Sequence, residues 1–92
     1  MSDVEPAYAQ APDVFVEEID GELLLLKEGT PDVVHLDAVG ADVWRLLSEP
    51  ATVSLLVREL ATAYGVDQER VTRDVQPLLD VLHGRGLVVA DG

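Results

Sequence analysis

Cysteine is absent from the 92 residues of this chain, which excludes disulfides, thiolate metal sites and cysteine nucleophiles. Aromatic residues make up only 4% of the chain, so we expect a core built mainly from Leu and Val. No apolar run approaches the ~20 residues of a membrane-spanning helix. The acidic N-terminus lacks the basic and apolar regions of a signal peptide. These absences predict a soluble, cytoplasmic protein with no membrane partner.

Basic residues are also scarce, since 6 Lys and Arg stand against 18 Asp and Glu, for a formal net charge of −12. Nucleic-acid-binding proteins gain affinity by neutralising phosphates with Lys and Arg, whereas this surface would repel a polyanion. We therefore expect no nucleic acid partner. The acidic surface either keeps a small protein solvated or matches a basic segment of a partner.

The residue types of catalytic and metal sites are present without their usual spacing. The two histidines, His35 and His83, are far apart in sequence and lack a second ligand at helical spacing. Adjacent carboxylates such as Glu17 and Glu18 point to opposite faces of a strand and cannot share a proton. No serine has a G-x-S-x-G context, and the glycines are scattered. The sequence predicts a protein that is not an enzyme and holds no metal or cofactor.

The N-terminal half of the sequence is predicted to form β-strands. Residues 1–12 contain two prolines and no periodicity, which predicts a loose arm ahead of one folded domain over 13–90. Apolar stretches at 14–19 and 23–27 flank Asp20-Gly21, a pair suited to a type I′ turn, and predict a hairpin that pairs Ile19 with Glu22. Pro31 precedes a further strand over 33–36 and places it at a sheet edge, because proline lacks an N–H.

The C-terminal half reads as helices over 38–48, 53–64 and 68–83, followed by a short extended tail. Pro77 lies inside the third apolar stripe and predicts a bent single helix, with two helices as the alternative. Three antiparallel strands followed by three helices predict an α+β fold with a winged helix-turn-helix arrangement. The predicted helix N-caps are Asp37, Thr52 and Asp67.

The pattern H-L-x-x-x-G-A-x-V-W-x-L-L, which begins at His35, resembles the PqqD family of small peptide chaperones, also called precursor-peptide recognition elements. The resemblance extends through VTRDVQPLL and covers residues 14–89. It implies the same fold and a protein that binds the leader segment of a ribosomally made precursor peptide. The leader would add an antiparallel strand to the third strand, against the third helix. The chain most resembles the free-standing proteins of lasso-peptide pathways, whose partners would be a leader peptidase and a cyclase.

The resemblance and the edge strand together define a candidate peptide-binding set. The edge strand would supply unpaired backbone groups, and the flank of the third helix would line a groove beside it. On that helix we expect the core to take Val71, Val75, Leu78 and Leu82. The predicted peptide-binding residues are Asp32, Val33, Val34, His35, Leu36, Arg70, Arg73, Asp74, Pro77, Leu78 and Val81.

Both faces of the hairpin are more apolar than a sheet with one buried face requires. One face carries Phe15, Ile19, Leu24 and Leu26. A second hypothesis assigns the other face to docking of the peptidase, or of a second copy as a homodimer, through Val14, Val16, Leu23 and Leu25. The alternative functions are a winged-helix DNA-binding regulator and a structural subunit of an enzyme complex.

Overall fold

The computed structural model of the protein describes residues 5–91 and shows an α+β fold with three helices and two antiparallel sheets. One sheet has three strands in the order β2-β3-β4, and the other pairs β1 with β5. The α+β prediction is confirmed, the second sheet was not predicted, and the winged helix-turn-helix arrangement stays a prediction. The elements are β1 (Ala7–Gln10), β2 (Val14–Ile19), β3 (Glu22–Lys27), β4 (Val33–Leu36), α1 (Ala38–Leu46), α2 (Val53–Tyr64), α3 (Gln68–Gly84) and β5 (Val88–Asp91).

The β2–β3 hairpin turns at Asp20 and Gly21, whose φ angles of 53° and 82° are both positive, as a type I′ turn requires. The register pairs Ile19 with Glu22, so both the predicted hairpin and its predicted register are confirmed. β4 joins the free side of β3 in antiparallel register and forms one edge of the sheet, as predicted.

The prediction of a loose arm over residues 1–12 is wrong for its second half. β1 pairs with β5, and the Tyr8 N–H donates to the Ala51 carbonyl at 2.8 Å. Ala11 is buried and donates its N–H to the carbonyl of Leu87. Because these partners are distant in sequence, the local pattern of the arm could not reveal them. Residues 1–4 of the predicted arm lie outside the described residues.

The predicted helices are present, with small differences at their ends. α1 ends at Leu46 rather than near Ser48, while α2 has the predicted bounds. Asp37 caps α1 by accepting a hydrogen bond from the Gly40 N–H, and Thr52 caps α2 through Leu55. Asp67 occupies the N-cap position of α3, but its side chain makes no capping hydrogen bond.

α3 is one continuous helix that contains Pro77, so the prediction of a single helix is confirmed over the two-helix alternative, while the bend at Pro77 stays a prediction. Its buried stripe consists of Val71, Val75, Leu79 and Leu82. The expectation that Leu78 belongs to the core is wrong, because Leu79 takes that position and Leu78 is only half-buried. This difference leaves Leu78 facing the space beside α3. No helix among residues 5–91 is long and apolar enough to cross a membrane.

The core lies between the three-stranded sheet and the helices, and it decides which hairpin face is buried. Leu23 and Leu25 are 3% and 0% exposed and belong to the same apolar cluster as Trp44 and Leu56. The hypothesis that Val14, Val16, Leu23 and Leu25 form a docking or homodimer face is therefore wrong for Leu23 and Leu25, which this protein's own helices cover. Val14 is half-buried and Val16 is 46% exposed, so a docking role for these two residues stays a prediction. The exposed hairpin face is the one that carries Phe15 and Ile19.

The cap of α2 allows a stability test with an internal control. Thr52→Ala removes the side-chain oxygen that accepts from Leu55 N, and it should lower the free energy of unfolding by about 1 kcal/mol. Asp67→Ala should cost less, because no capping hydrogen bond is lost there. Urea denaturation monitored by circular dichroism measures both. Equal losses in the two variants would contradict the capping role of Thr52.

Candidate functional site

The backbone geometry of the hairpin determines which groups of β4 face outward. In antiparallel pairs, hydrogen-bonded and non-hydrogen-bonded residue pairs alternate along the strand. The Glu28 N–H donates to the Asp13 carbonyl, so the residues of β3 that bond to β2 are the even-numbered ones. The odd-numbered Leu23 and Leu25 then bond to their partners Leu36 and Val34 in β4.

The backbone groups of Val33 and His35 consequently point away from the sheet. Among residues 5–91, the N–H and C=O groups of these two residues have no hydrogen-bond partner. The N-terminal strand and the C-terminal tail, which could have covered this edge, pair with each other instead. The edge of β4 therefore presents two donors and two acceptors to an incoming strand.

A groove begins beside the C-terminal end of β4. A cavity of about 420 Å³ lies between this end of the strand, the start of α1 and the middle of α3. Within it the structure brings together four of the predicted residues: His35, Leu36, Asp74 and Leu78. The half-buried Leu78 supplies apolar wall, while Asp37 and Asp74 add carboxylates to the same cavity.

A second cavity, of about 190 Å³, lies beside the other end of β4, against the C-terminus of α3. It contains the predicted residues Asp32 and Val34 together with Arg85. The two cavities place α3 along the length of β4, with its chain direction opposite to that of the strand. An extended segment that pairs antiparallel to β4 would therefore run in the same direction as α3.

Val33 lies on the open edge of β4, and the other four predicted residues lie on α3 outside these two cavities. Arg70 lines a separate cavity of about 150 Å³ among the three helices. Arg73 is exposed and forms an ion pair with Glu69 at 3.6 Å, one turn earlier on the same helix. Pro77 and Val81 are exposed on α3. A binding role stays a prediction for these four residues, as it does for the rest of the predicted set.

Several residues that shape the groove were not in the predicted set. An added Cβ on Gly40 would lie 3.2 Å from the Leu36 Cβ, so glycine lets α1 start close to β4. At the other end, Thr30, Lys27 and Gly84 help to line the second cavity. The sequence pointed to one of these residues, Gly40, because it belongs to the G-A-x-V-W motif. No sequence pattern indicated that turn residues such as Thr30 would line the groove.

An ion pair fixes the second end of the groove. Lys27 Nζ lies 3.0 Å from Asp13 Oδ2 and also donates to the Gly86 carbonyl. The hydrogen bond from Lys27 lowers the pKa of Asp13 below its usual range. Because Lys27 is already paired, Arg85 is the cation more available to a ligand at this end of the groove.

No candidate metal site is present among the described residues, and the phenol with a raised pKa lies outside the groove. No group of three or more His, Asp or Glu among residues 5–91 could hold a metal ion. A hydrogen bond to Asp42 raises the pKa of Tyr64 to about 12, so this phenol stays protonated at neutral pH. The tyrosine lies on α2, away from the two cavities beside β4. The arrangement as a whole is suited to holding an extended chain.

Comparisons with known proteins agree with this geometry. One solved structure, described as TbiB1 in complex with the TbiA(beta) leader peptide, is 32% identical in sequence, with a TM-score of 0.77. The match covers 87% of this chain and 93% of that one. No curated protein matches the sequence. The family described as Coenzyme PQQ synthesis protein D (PqqD) matches residues 22–88. This protein belongs to the PqqD family.

Proposed function

We propose that this protein binds the leader segment of a ribosomally synthesised precursor peptide by β-strand addition to β4. The observation that carries the proposal is the open edge of Val33 and His35 beside a groove walled by α3. Similarity to TbiB1, whose structure contains a leader peptide, supports the choice of ligand. The protein acts by binding and makes or breaks no covalent bond.

The groove predicts the orientation and chemistry of the bound leader. An antiparallel leader places its N-terminal part beside Leu36 and its C-terminal part beside Val33. Alternate side chains point into the groove, where the larger cavity accepts an apolar group against Leu78. Asp37 and Asp74 favour a basic residue near that end, and Arg85 favours an acidic residue at the other.

Affinity should be moderate, because the leader is ordered only when it binds. Backbone pairing stabilises any extended chain, while the two cavities select among leader sequences. Ordering a flexible segment costs free energy that offsets part of the contact energy. A dissociation constant in the sub-micromolar to micromolar range follows, which allows release after processing.

The cellular role extends beyond the peptide itself. We infer that the protein presents the bound leader to a leader peptidase, and in turn to a cyclase, in a lasso-peptide-like pathway. The resemblance of the chain to free-standing recognition proteins supports this role. A separate binding protein would raise the local concentration of substrate at the enzyme.

Calorimetric titration with the synthetic leader encoded beside this chain tests the proposal. We expect saturable binding of one leader per protein, and a scrambled leader of the same composition should bind at least about tenfold more weakly. Calorimetry is preferable to Trp44 emission, because this residue is 4% exposed and lines neither cavity beside β4. Equal heats from both peptides would overturn the proposal.

The same preparation separates the rival functions. A DNA-binding regulator would retain random duplex in a gel shift at low salt, whereas a surface with a net charge of −12 should not. A structural subunit would bind its enzyme equally well with and without leader. Either result combined with absent leader binding would favour the corresponding rival.

A further inference from the structure

The outer face of the three-stranded sheet is apolar and exposed. Phe15, Val33 and Ile19 are 59%, 58% and 52% exposed. Within residues 5–91, no helix or strand packs on this face, because the helices contact the opposite face of the sheet. The strand register places three rows of side chains on it, and these are Phe15–Leu26–Val33, Glu17–Leu24–His35 and Ile19–Glu22.

This face is uneven as well as apolar. Phe15 projects from it near the open end of the hairpin. A hollow of about 210 Å³ lies near the turn, and its lining includes Ile19, Leu24 and His35. His35 Nε2 contacts Glu22 Oε1, which holds the imidazole at the rim of this hollow. A projecting ring and a hollow on one surface are suited to a complementary protein surface rather than to a small molecule.

The outer face is continuous with the edge where the leader is proposed to bind. A strand added to β4 extends the same pleated sheet, so its side chains alternate between the α3 groove and the outer face. The outward side chains of the leader would then lie beside Val33 and His35. A protein seated on this face would contact the leader and its carrier at once.

We propose that the outer sheet face is the docking surface for the enzyme that processes the leader, and that this enzyme also contacts the outward side chains of the bound leader. The inference rests on the proposed leader-binding function. Two proteins would then recognise the leader. This protein contacts the leader side chains that face the groove, and the enzyme contacts the leader side chains that face outward.

The negative charge around the outer sheet face favours a partner whose docking surface is apolar and bordered by Lys and Arg. The carboxylates of Glu17, Asp20 and Glu22 border the exposed apolar side chains. A second copy of this chain would bring these carboxylates against their equivalents, which is repulsive. An anionic membrane would be repelled in the same way by a net charge of −12.

The test measures binding of the purified leader peptidase encoded beside the precursor, with and without saturating synthetic leader. The double variant Phe15→Ser/Ile19→Ser should weaken peptidase binding by about 30-fold, since buried aromatic and aliphatic anchors dominate interface energy. Its affinity for the leader alone should stay within about twofold, because neither side chain faces the groove. Leader should strengthen peptidase binding to the wild type.

The matched control is Val16→Ser/Val89→Ser, which removes two exposed apolar side chains, at 46% and 49% exposure, from other surfaces. Val16 lies on the same strand as Phe15 and points to the opposite face. Equal losses in the two double variants would overturn the inference, as would unchanged peptidase binding by Phe15→Ser/Ile19→Ser. A wild-type dimer in sedimentation that this variant dissociates would assign the face to a second copy and overturn it also. Leader binding that is absent in the wild type would instead overturn the proposed function.

Discussion

Replacing His35 with proline is expected to weaken leader binding by about 30- to 100-fold, because it removes an outward N–H of the edge strand. The strand register gives this N–H no partner in β3, so its loss leaves the three-stranded sheet paired. The leader carbonyl that would accept from it becomes an unsatisfied acceptor in the interface. Proline is tolerated on sheet edges where its nitrogen faces solvent. Calorimetric titration with the synthetic leader measures the effect.

His35→Ala is the matched control, since it removes the imidazole and its contact with Glu22 but keeps the N–H. We expect its leader affinity to lie within about threefold of the wild type. Val34→Pro should behave differently from both, because the Val34 N–H bonds to Leu25 and its loss disrupts the sheet itself. Wild-type affinity in His35→Pro, with an unchanged circular dichroism spectrum, would rule out strand addition at β4.

Local signals were sufficient for most of the elements. Asp20-Gly21 predicts the hairpin and its register because few residues other than glycine, asparagine and aspartate tolerate positive φ. α2 begins after the predicted cap Thr52 and ends at the predicted residue Tyr64, where Gly65 follows in the left-handed conformation. These features depend on residues close in sequence, so a single sequence contains them.

Features that depend on distant partners were not predictable. β1 is a strand only because β5, at the other end of the chain, pairs with it. The buried face of the hairpin was also ambiguous, because both faces carry large apolar residues and alternation alone cannot rank them. In the folded protein the helices cover Leu23 and Leu25, so the hairpin face that carries these two residues is the buried one. As a result, the docking face predicted from the sequence includes two residues, Leu23 and Leu25, that are buried in the core.

The candidate site also combines features that local sequence predicts with features that depend on packing. The edge position of β4 followed from Pro31, and the nearby α3 flank followed from the family resemblance. Helical periodicity allowed either Leu78 or Leu79 to be the core residue, because adjacent positions differ by only about 100° around a helix. Packing places Leu79 inside and leaves Leu78 to the groove.

Leu78→Asp is expected to weaken leader binding by about 100-fold or more, because it replaces the apolar wall of the larger cavity with a third carboxylate. Asp37 and Asp74 already line this cavity, and a bound leader would shield all three from water. An unpaired charge that loses its hydration is strongly unfavourable. Fold stability should fall by about 1–2 kcal/mol, because Leu78 is partly buried against the core, while Leu79 keeps the fully buried position and the fold should remain intact. Calorimetry with the synthetic leader and urea denaturation measure the two effects.

Val89→Asp provides the control, since it adds the same charge at an exposed apolar position on β5, away from the groove. Its leader affinity should stay within about twofold of the wild type, which separates local repulsion from the general effect of a more negative protein. A leader with Lys at the position that faces the cavity should recover part of the affinity of Leu78→Asp, and a leader with Lys at an outward-facing position should not. Recovery by both leaders would mean that the charge acts at long range, and the assignment of this cavity to the leader would be wrong.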